Sequence, residues 1–182
     1  MLQYGLPALH GLLIWWFSTG LILLLDGLPR HTFRWSMAAA TALLFASVGG
    51  LIASASDTSV TGAYCTFTCA VVIWGWLEIS FYMGYVTGPR THHCRHGCSG
   101  WRHLGHAVQA CLYHEIAVLA LAGIVIGLTW SSPNQFGTWT FVVLWWMHQS
   151  ARLNVFLGVS NLNAEFLPEH WHISEASFAV HR

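Results

Sequence analysis

Four polar side chains in the apolar part of this sequence are of the types that bind metals or pigments. Two carboxylates, Glu78 and Glu115, and two imidazoles, His114 and His148, lie within long hydrophobic runs. A carboxylate in such surroundings is costly unless it is neutralised, paired or ligated. Carboxylates and imidazoles together bind iron or zinc, and a lone imidazole can bind the central metal of a tetrapyrrole. We therefore regard these residues as candidates for a pigment or metal site, and the alternative that they only hydrogen-bond across packed helices stays open.

A second concentration of metal-binding residue types lies between two apolar runs. Its members are His92, His93, Cys94, His96 and Cys98. The Cys-x3-Cys pattern lacks the second pair of ligands of a structural zinc site, and the sequence contains no Cys-x-x-Cys-His motif for haem attachment. We expect weak metal binding at this loop, while an ordinary polar loop and a required site remain alternatives.

The composition indicates that a membrane protein must position these groups. Of the 182 residues, 55% are hydrophobic and 8% are charged, whereas roughly 25% of the residues of a soluble domain are charged. So little polar surface cannot cover a globule in water, which excludes a soluble domain. Seven basic residues balance seven acidic ones, and they form no dense basic face, which argues against binding to nucleic acid.

Five apolar runs are long enough to cross the roughly 30 Å hydrocarbon core of a bilayer as helices. They predict an all-α, polytopic transmembrane bundle that forms one domain over residues 1–160, followed by a cytoplasmic tail over 161–182. The predicted spans are 5–25, 36–53, 60–86, 104–130 and 138–159. Arg residues occur in the first and third loops and not in the second and fourth. The positive-inside rule then places the N-terminus in the periplasm and the C-terminus in the cytoplasm.

Residues 70–170 resemble a known protein family. The matching strings are Gly88-Pro89-Arg90, Leu112-Tyr113-His114-Glu115, Asn134-Gln135-Phe136-Gly137, 144–159 and 161–170. In this order they resemble the PuhE-type photosynthetic complex assembly protein 2 family of purple phototrophic bacteria.

That resemblance implies a multi-pass protein of the bacterial inner membrane, cytoplasmic or intracytoplasmic, that helps to assemble the photosynthetic reaction centre and light-harvesting complex. It implies a role in the supply or delivery of bacteriochlorophyll. The implied partners are reaction-centre and light-harvesting membrane subunits, pigment-synthesis enzymes and the lipid bilayer. Bacteriochlorophyll or another tetrapyrrole is the implied cofactor, ahead of iron. Because no complete catalytic motif is present, a membrane metal-dependent enzyme of tetrapyrrole biosynthesis, or a subunit of one, is the alternative.

Six polar positions of the resemblance are candidates for a helix cap or a partner-docking strip. They are Arg152, Asn154, Asn161, Asn163, Glu165 and His170. We expect Arg152 to contact lipid headgroups and Asn154 to bond exposed backbone carbonyls at the end of the fifth helix. The family's sequences continue beyond the counterpart of His170 with a basic stretch and further apolar segments, so we interpret this chain as shortened or altered there. His148 and the His-rich loop also depart from the family's pattern.

Overall fold

The computed structural model describes residues 2–90 and 100–156. Within these residues the chain forms five long α-helices and a short 3-10 turn over Arg30–Thr32, with no β-strand. The helices are α1 (Leu2–Asp26), α2 (Phe33–Ser54), α3 (Val60–Tyr82), α4 (Gly100–Thr129) and α5 (Phe136–Phe156). The predicted all-helical class is therefore confirmed for this part of the chain.

Four stretches of helix are long and apolar enough to cross a membrane. They are Gly5–Asp26, Arg30–Ser54, Val60–Tyr82 and Val108–Thr129. The protein is accordingly a multi-pass membrane protein. Helix α5 has 21 residues but is not among these candidate spans, so the fifth crossing and the orientation of the termini stay predictions.

The outer faces of the helices carry large apolar side chains. Trp16, Trp35, Phe45 and Trp146 are each at least 70% exposed. An apolar surface of this extent is unfavourable in water. Lipid chains are as apolar as these side chains and can contact them without penalty. The exposure pattern therefore suits a helical bundle surrounded by lipid.

Helix α3 occupies the centre of the bundle. Its Ile73 and Leu77 are fully buried and belong to one cluster with Leu51 of α2, Val118 of α4 and Phe141 of α5. Helix α1 packs against α3 as well. Side chains on this buried face of α3 therefore lie against neighbouring helices.

Helix α3 ends four residues before the predicted end of its span. Gly84 has a φ of 80°, a left-handed conformation that favours glycine. The backbone N–H of Tyr85 donates to the Ser80 carbonyl and that of Gly84 to the Phe81 carbonyl, both at 2.9 Å. This Schellman arrangement satisfies carbonyls of the last turn and ends the helix. The predicted span continues to Val86 because it follows the hydrophobic residues beyond this glycine. The other helix bounds also differ from the predicted spans by four residues or fewer.

The segment after α3 lies directly against α4. The Thr87 carbonyl accepts a hydrogen bond of 3.0 Å from the backbone N–H of His114. At Gly88 the two backbones are so close that an added Cβ would lie 2.1 Å from the Gln109 carbonyl oxygen. Since only glycine permits this approach, Gly88 holds the segment in the position where Thr87 contacts His114.

A buried asparagine connects two turns at the opposite end of the bundle. Asn134 Nδ2 donates to the carbonyl oxygens of Ser54, at 3.1 Å, and Asp57, at 2.7 Å. Its backbone N–H donates to the Ala55 carbonyl at 3.1 Å, and its Oδ1 accepts from the Thr66 hydroxyl at 3.3 Å. Unpaired carbonyls in apolar surroundings would be costly. Asn134 therefore holds the α2–α3 turn against the α4–α5 turn.

Candidate functional site

Glu78 of α3, His114 of α4 and His148 of α5 converge between their three helices. One ligand atom from each side chain, a carboxylate oxygen or an imidazole nitrogen, lies within 4.8 Å of the other two. Within this group His148 Nδ1 lies 3.3 Å from Glu78 Oε1. The structure thus places three of the four candidate residues in one cluster, whose binding of a pigment or metal stays a prediction.

His114 is the most deeply buried member of this cluster, with no exposed surface. Its ring lies against Phe81, at 4.5 Å between ring centroids, and against His148, at 5.4 Å. Among the described residues, neither ring nitrogen of His114 has a hydrogen-bond partner. A buried polar group without a partner is unfavourable and uncommon. The imidazole therefore retains its capacity to bind a ligand.

Glu115 borders the cluster from another side of α4. Adjacent helical residues point about 100° apart, so Glu115 does not follow His114 into the cluster. Its carboxylate accepts a hydrogen bond from Gln149 Nε2 at 2.8 Å and forms an ion pair with Arg152. Glu115 Oε1 also lies 4.0 Å from His148 Nε2. Arg152 of α5 thus neutralises the charge of Glu115, whose carboxylate lies beside the His148 imidazole of the same helix.

Arg152 points into the bundle, a placement that the sequence analysis did not predict. Its guanidinium is half-buried and donates to Glu115 and to Cys111 Sγ. The sequence spacing did indicate this placement. Cys111 and Glu115 lie four residues apart on α4, and His148 and Arg152 lie four residues apart on α5. Residues at this spacing share a helix face. Asn154, the other described member of the predicted cap, is exposed.

An aromatic side chain of α3 supports the imidazole from α5. The Trp74 ring meets His148 edge to face, with centroids 5.5 Å apart, and meets Phe141 in the same way at 5.3 Å. Such contacts restrict the rotation of a ring in a packed interior. The orientation of His148 is therefore set by Trp74 together with Glu78.

The remaining site predictions fall outside the described residues. They concern the metal-binding loop and the distal part of the predicted cap, namely His92, His93, Cys94, His96, Cys98, Asn161, Asn163, Glu165 and His170.

Comparison with known proteins finds relatives without an assigned activity. The model of a family described as "Protein of unknown function (DUF3623)" matches residues 1–182. A protein of Rhodobacter capsulatus described as "Uncharacterized 30.4 kDa protein in puhA 5'region" is 39% identical over 173 residues, which cover 90% of this chain and 61% of the relative. The chain thus spans less than two thirds of the length of this curated relative. No solved structure matches significantly.

Proposed function

The chain belongs to the DUF3623 family, and on that premise we propose that it is an integral membrane factor for assembly of the photosynthetic reaction centre and light-harvesting complex. The observation that carries the proposal is the description of the R. capsulatus relative, which lies in the 5′ region of puhA in a photosynthetic bacterium. The resemblance to the PuhE-type family is consistent with that location. In this role the protein aids the supply or delivery of bacteriochlorophyll in the inner membrane.

The exposed apolar faces of the bundle support a role among other membrane proteins. Helix α1 has no buried residue between Gly5 and Leu25, and Trp16 and Phe17 are about 70% exposed. Helices in a bilayer associate by van der Waals packing and interhelical hydrogen bonds rather than by expulsion of water. Newly inserted reaction-centre and antenna helices are the proposed partners, together with pigment-synthesis enzymes.

A pulse-chase co-purification tests the assembly proposal. A tagged copy of this chain is produced in R. capsulatus, and membrane proteins are labelled briefly before solubilisation in mild detergent. An assembly factor binds new subunits and releases mature complexes. Labelled reaction-centre and antenna subunits should therefore co-purify after the pulse and decline during the chase, and bacteriochlorophyll absorption should follow the same course.

The control for this experiment is an unrelated tagged membrane protein with a similar number of helices. Absence of labelled photosynthetic subunits at every time point, or the same amount with the control protein, would contradict the proposal. Retention of the label throughout the chase would indicate a permanent subunit instead.

A metal-dependent enzyme of tetrapyrrole biosynthesis is the second candidate function. It is favoured by the convergence of Glu78, His114 and His148, because carboxylate and imidazole ligands suit iron. If the chain is such an enzyme, Glu78→Gln should cause a bacteriochlorophyll precursor to accumulate in a strain that depends on this chain. If the chain is an assembly factor, the same variant should give fewer complexes with unchanged pigment composition. Chromatography of extracted pigments separates the two outcomes.

A further inference from the structure

We infer that Glu78, His114 and His148 form a binding site for a single divalent transition-metal ion, of the Fe²⁺ or Zn²⁺ class, inside the helix bundle. The inference rests on the geometry and burial of these three side chains and is independent of the assembly function proposed above.

The spacing of the ligand atoms suits one ion. Imidazole nitrogens and carboxylate oxygens bind Zn²⁺ at about 2.0–2.2 Å, which places ligand atoms roughly 3–3.5 Å apart around a tetrahedral or octahedral centre. In this cluster the three ligand atoms lie within 4.8 Å of one another, and His148 Nδ1 and Glu78 Oε1 are 3.3 Å apart.

The burial of His114 is the second observation that points to a ligand. The side chain has no exposed surface, and both ring nitrogens lack a hydrogen-bond partner among residues 2–90 and 100–156. His148 Nε2 is also buried without such a partner there. Each imidazole binds an ion through one nitrogen, so coordination would satisfy one of the two His114 nitrogens, which otherwise carry the cost of lost hydration.

The ligand chemistry restricts the choice of ion. Two imidazoles and one carboxylate are typical of Zn²⁺ and non-haem Fe²⁺, whereas Ca²⁺ and Mg²⁺ prefer oxygen ligands. Three protein ligands leave coordination positions open for water or another small molecule. The positive charge of the ion would also balance the Glu78 carboxylate, as Arg152 balances Glu115.

The same geometry disfavours a tetrapyrrole at this position. A macrocycle bound through His114 needs a broad flat space in front of its ligating nitrogen. Glu78 and His148 place their ligand atoms within 4.8 Å of that imidazole, and Phe81 lies against its ring. The cluster has room for an ion between the three helices, and a macrocycle would have to displace two of the three side chains.

The neighbouring residues hold the ligands in place. Trp74 contacts the His148 ring, the Thr87 carbonyl binds the backbone of His114, and Glu115 lies 4.0 Å from His148 Nε2. Loss of a group that hydrogen-bonds a metal ligand typically lowers affinity about 10- to 100-fold. The loss of a ligand itself should cost at least as much.

Titration with Co²⁺ tests the site directly. The full chain, carrying a peptide tag without histidine, is reconstituted in nanodiscs and titrated while the visible absorption of bound Co²⁺ is recorded. We expect one Co²⁺ bound per chain at the cluster, and at least about tenfold weaker binding there in His114→Leu and Glu78→Gln.

The matched control is His10→Leu, which removes a half-buried imidazole that lies 3.2 Å from Thr68 Oγ1 on the far side of α3. This variant should bind Co²⁺ as the unchanged protein does. A second control replaces His92, His93 and His96 together with Asn, since the His-rich loop is an alternative source of bound metal. Cluster binding should persist in this variant.

Thermal unfolding gives a second measurement that does not depend on whether the cluster variants fold well. An ion that binds the folded state raises the midpoint of unfolding, so Zn²⁺ should raise it in the loop variant. Circular dichroism shows whether each cluster variant retains its helices.

Three results would overturn the inference: no Co²⁺ bound by the unchanged chain, binding lost in the loop variant only, or equal affinity in folded cluster variants. None of them bears on the pulse-chase experiment, so a metal-free chain that still binds newly made photosynthetic subunits would refute the metal site and leave the assembly proposal standing.

Discussion

Glu115 and Arg152 form an ion pair between α4 and α5, and each side chain is only 24% exposed. Moving both charges out of water is expensive, and their mutual attraction offsets that cost only while both are present. Removing one partner leaves the other charge uncompensated. The stability of the α4–α5 interface therefore depends on both of these residues being present.

We expect Arg152→Met to lower the free energy of unfolding by about 3 kcal/mol, because the Glu115 carboxylate then lacks its counter-charge. The measurement is unfolding in mixed detergent micelles, followed by circular dichroism. The double variant Glu115→Gln with Arg152→Met should recover most of the loss, since neither charge remains. Equal loss in the single and double variants would attribute the effect to packing of the Arg152 side chain instead.

The sequence was sufficient to select the polar residues of the cluster. It was not sufficient to predict which of these side chains contact one another. Glu78, His114 and His148 stand out because carboxylates and imidazoles are rare within apolar runs. Their contacts depend on how far α4 and α5 rotate about their axes and slide past each other, which long-range packing decides. The sequence therefore placed Arg152 at the lipid headgroups, whereas its side chain lies against Glu115.

At the scale of elements, the short connection after α3 determines how that helix approaches α4. Gly84 ends α3 through its left-handed backbone, and Gly88 allows contact between the connection and the α4 backbone. The length of the apolar runs predicted the helices well, because a membrane-crossing helix needs about 20 apolar residues. It did not predict the end of α3, because a glycine conformation is set by the turn and not by hydropathy.

Gly88→Ala should lower the free energy of unfolding by about 1–3 kcal/mol, because the added Cβ would overlap the Gln109 carbonyl and force the backbones apart. Gly75→Ala is the control, since an added Cβ there meets nothing within 4 Å. That helical substitution should leave stability unchanged or raise it slightly. The prediction fails if both variants unfold at the same detergent concentration.

At the scale of the whole molecule, basic residues of the described part of the chain collect at one end of the bundle. Arg30 lies between α1 and α2, Arg34 lies in the first turn of α2, and Arg90 follows the end of α3. The α2–α3 and α4–α5 turns, which Asn134 joins at the other end, contain no Arg or Lys. This asymmetry supports the proposal that the Arg-bearing end faces the cytoplasm.

Fusions to alkaline phosphatase, which is active only in the periplasm, test this orientation. A fusion after Pro133 should be active and a fusion after Arg90 inactive, because short Arg-bearing loops stay in the cytoplasm. A fusion after Arg182 tests α5: inactivity is expected if α5 crosses the membrane, and activity would mean that it does not. Reversed activities at Pro133 and Arg90 would contradict the proposed orientation.

The contacts of Asn134 constrain the order of events during synthesis of the protein. The carbonyls of Ser54 and Asp57 leave the ribosome 80 and 77 residues before the side chain that binds them. Until then water must satisfy these groups, which keeps the α2–α3 turn near the membrane surface. The α2–α3 turn therefore reaches its final contacts only after α4 and the turn that follows it have been made, and insertion into the membrane precedes completion of the fold.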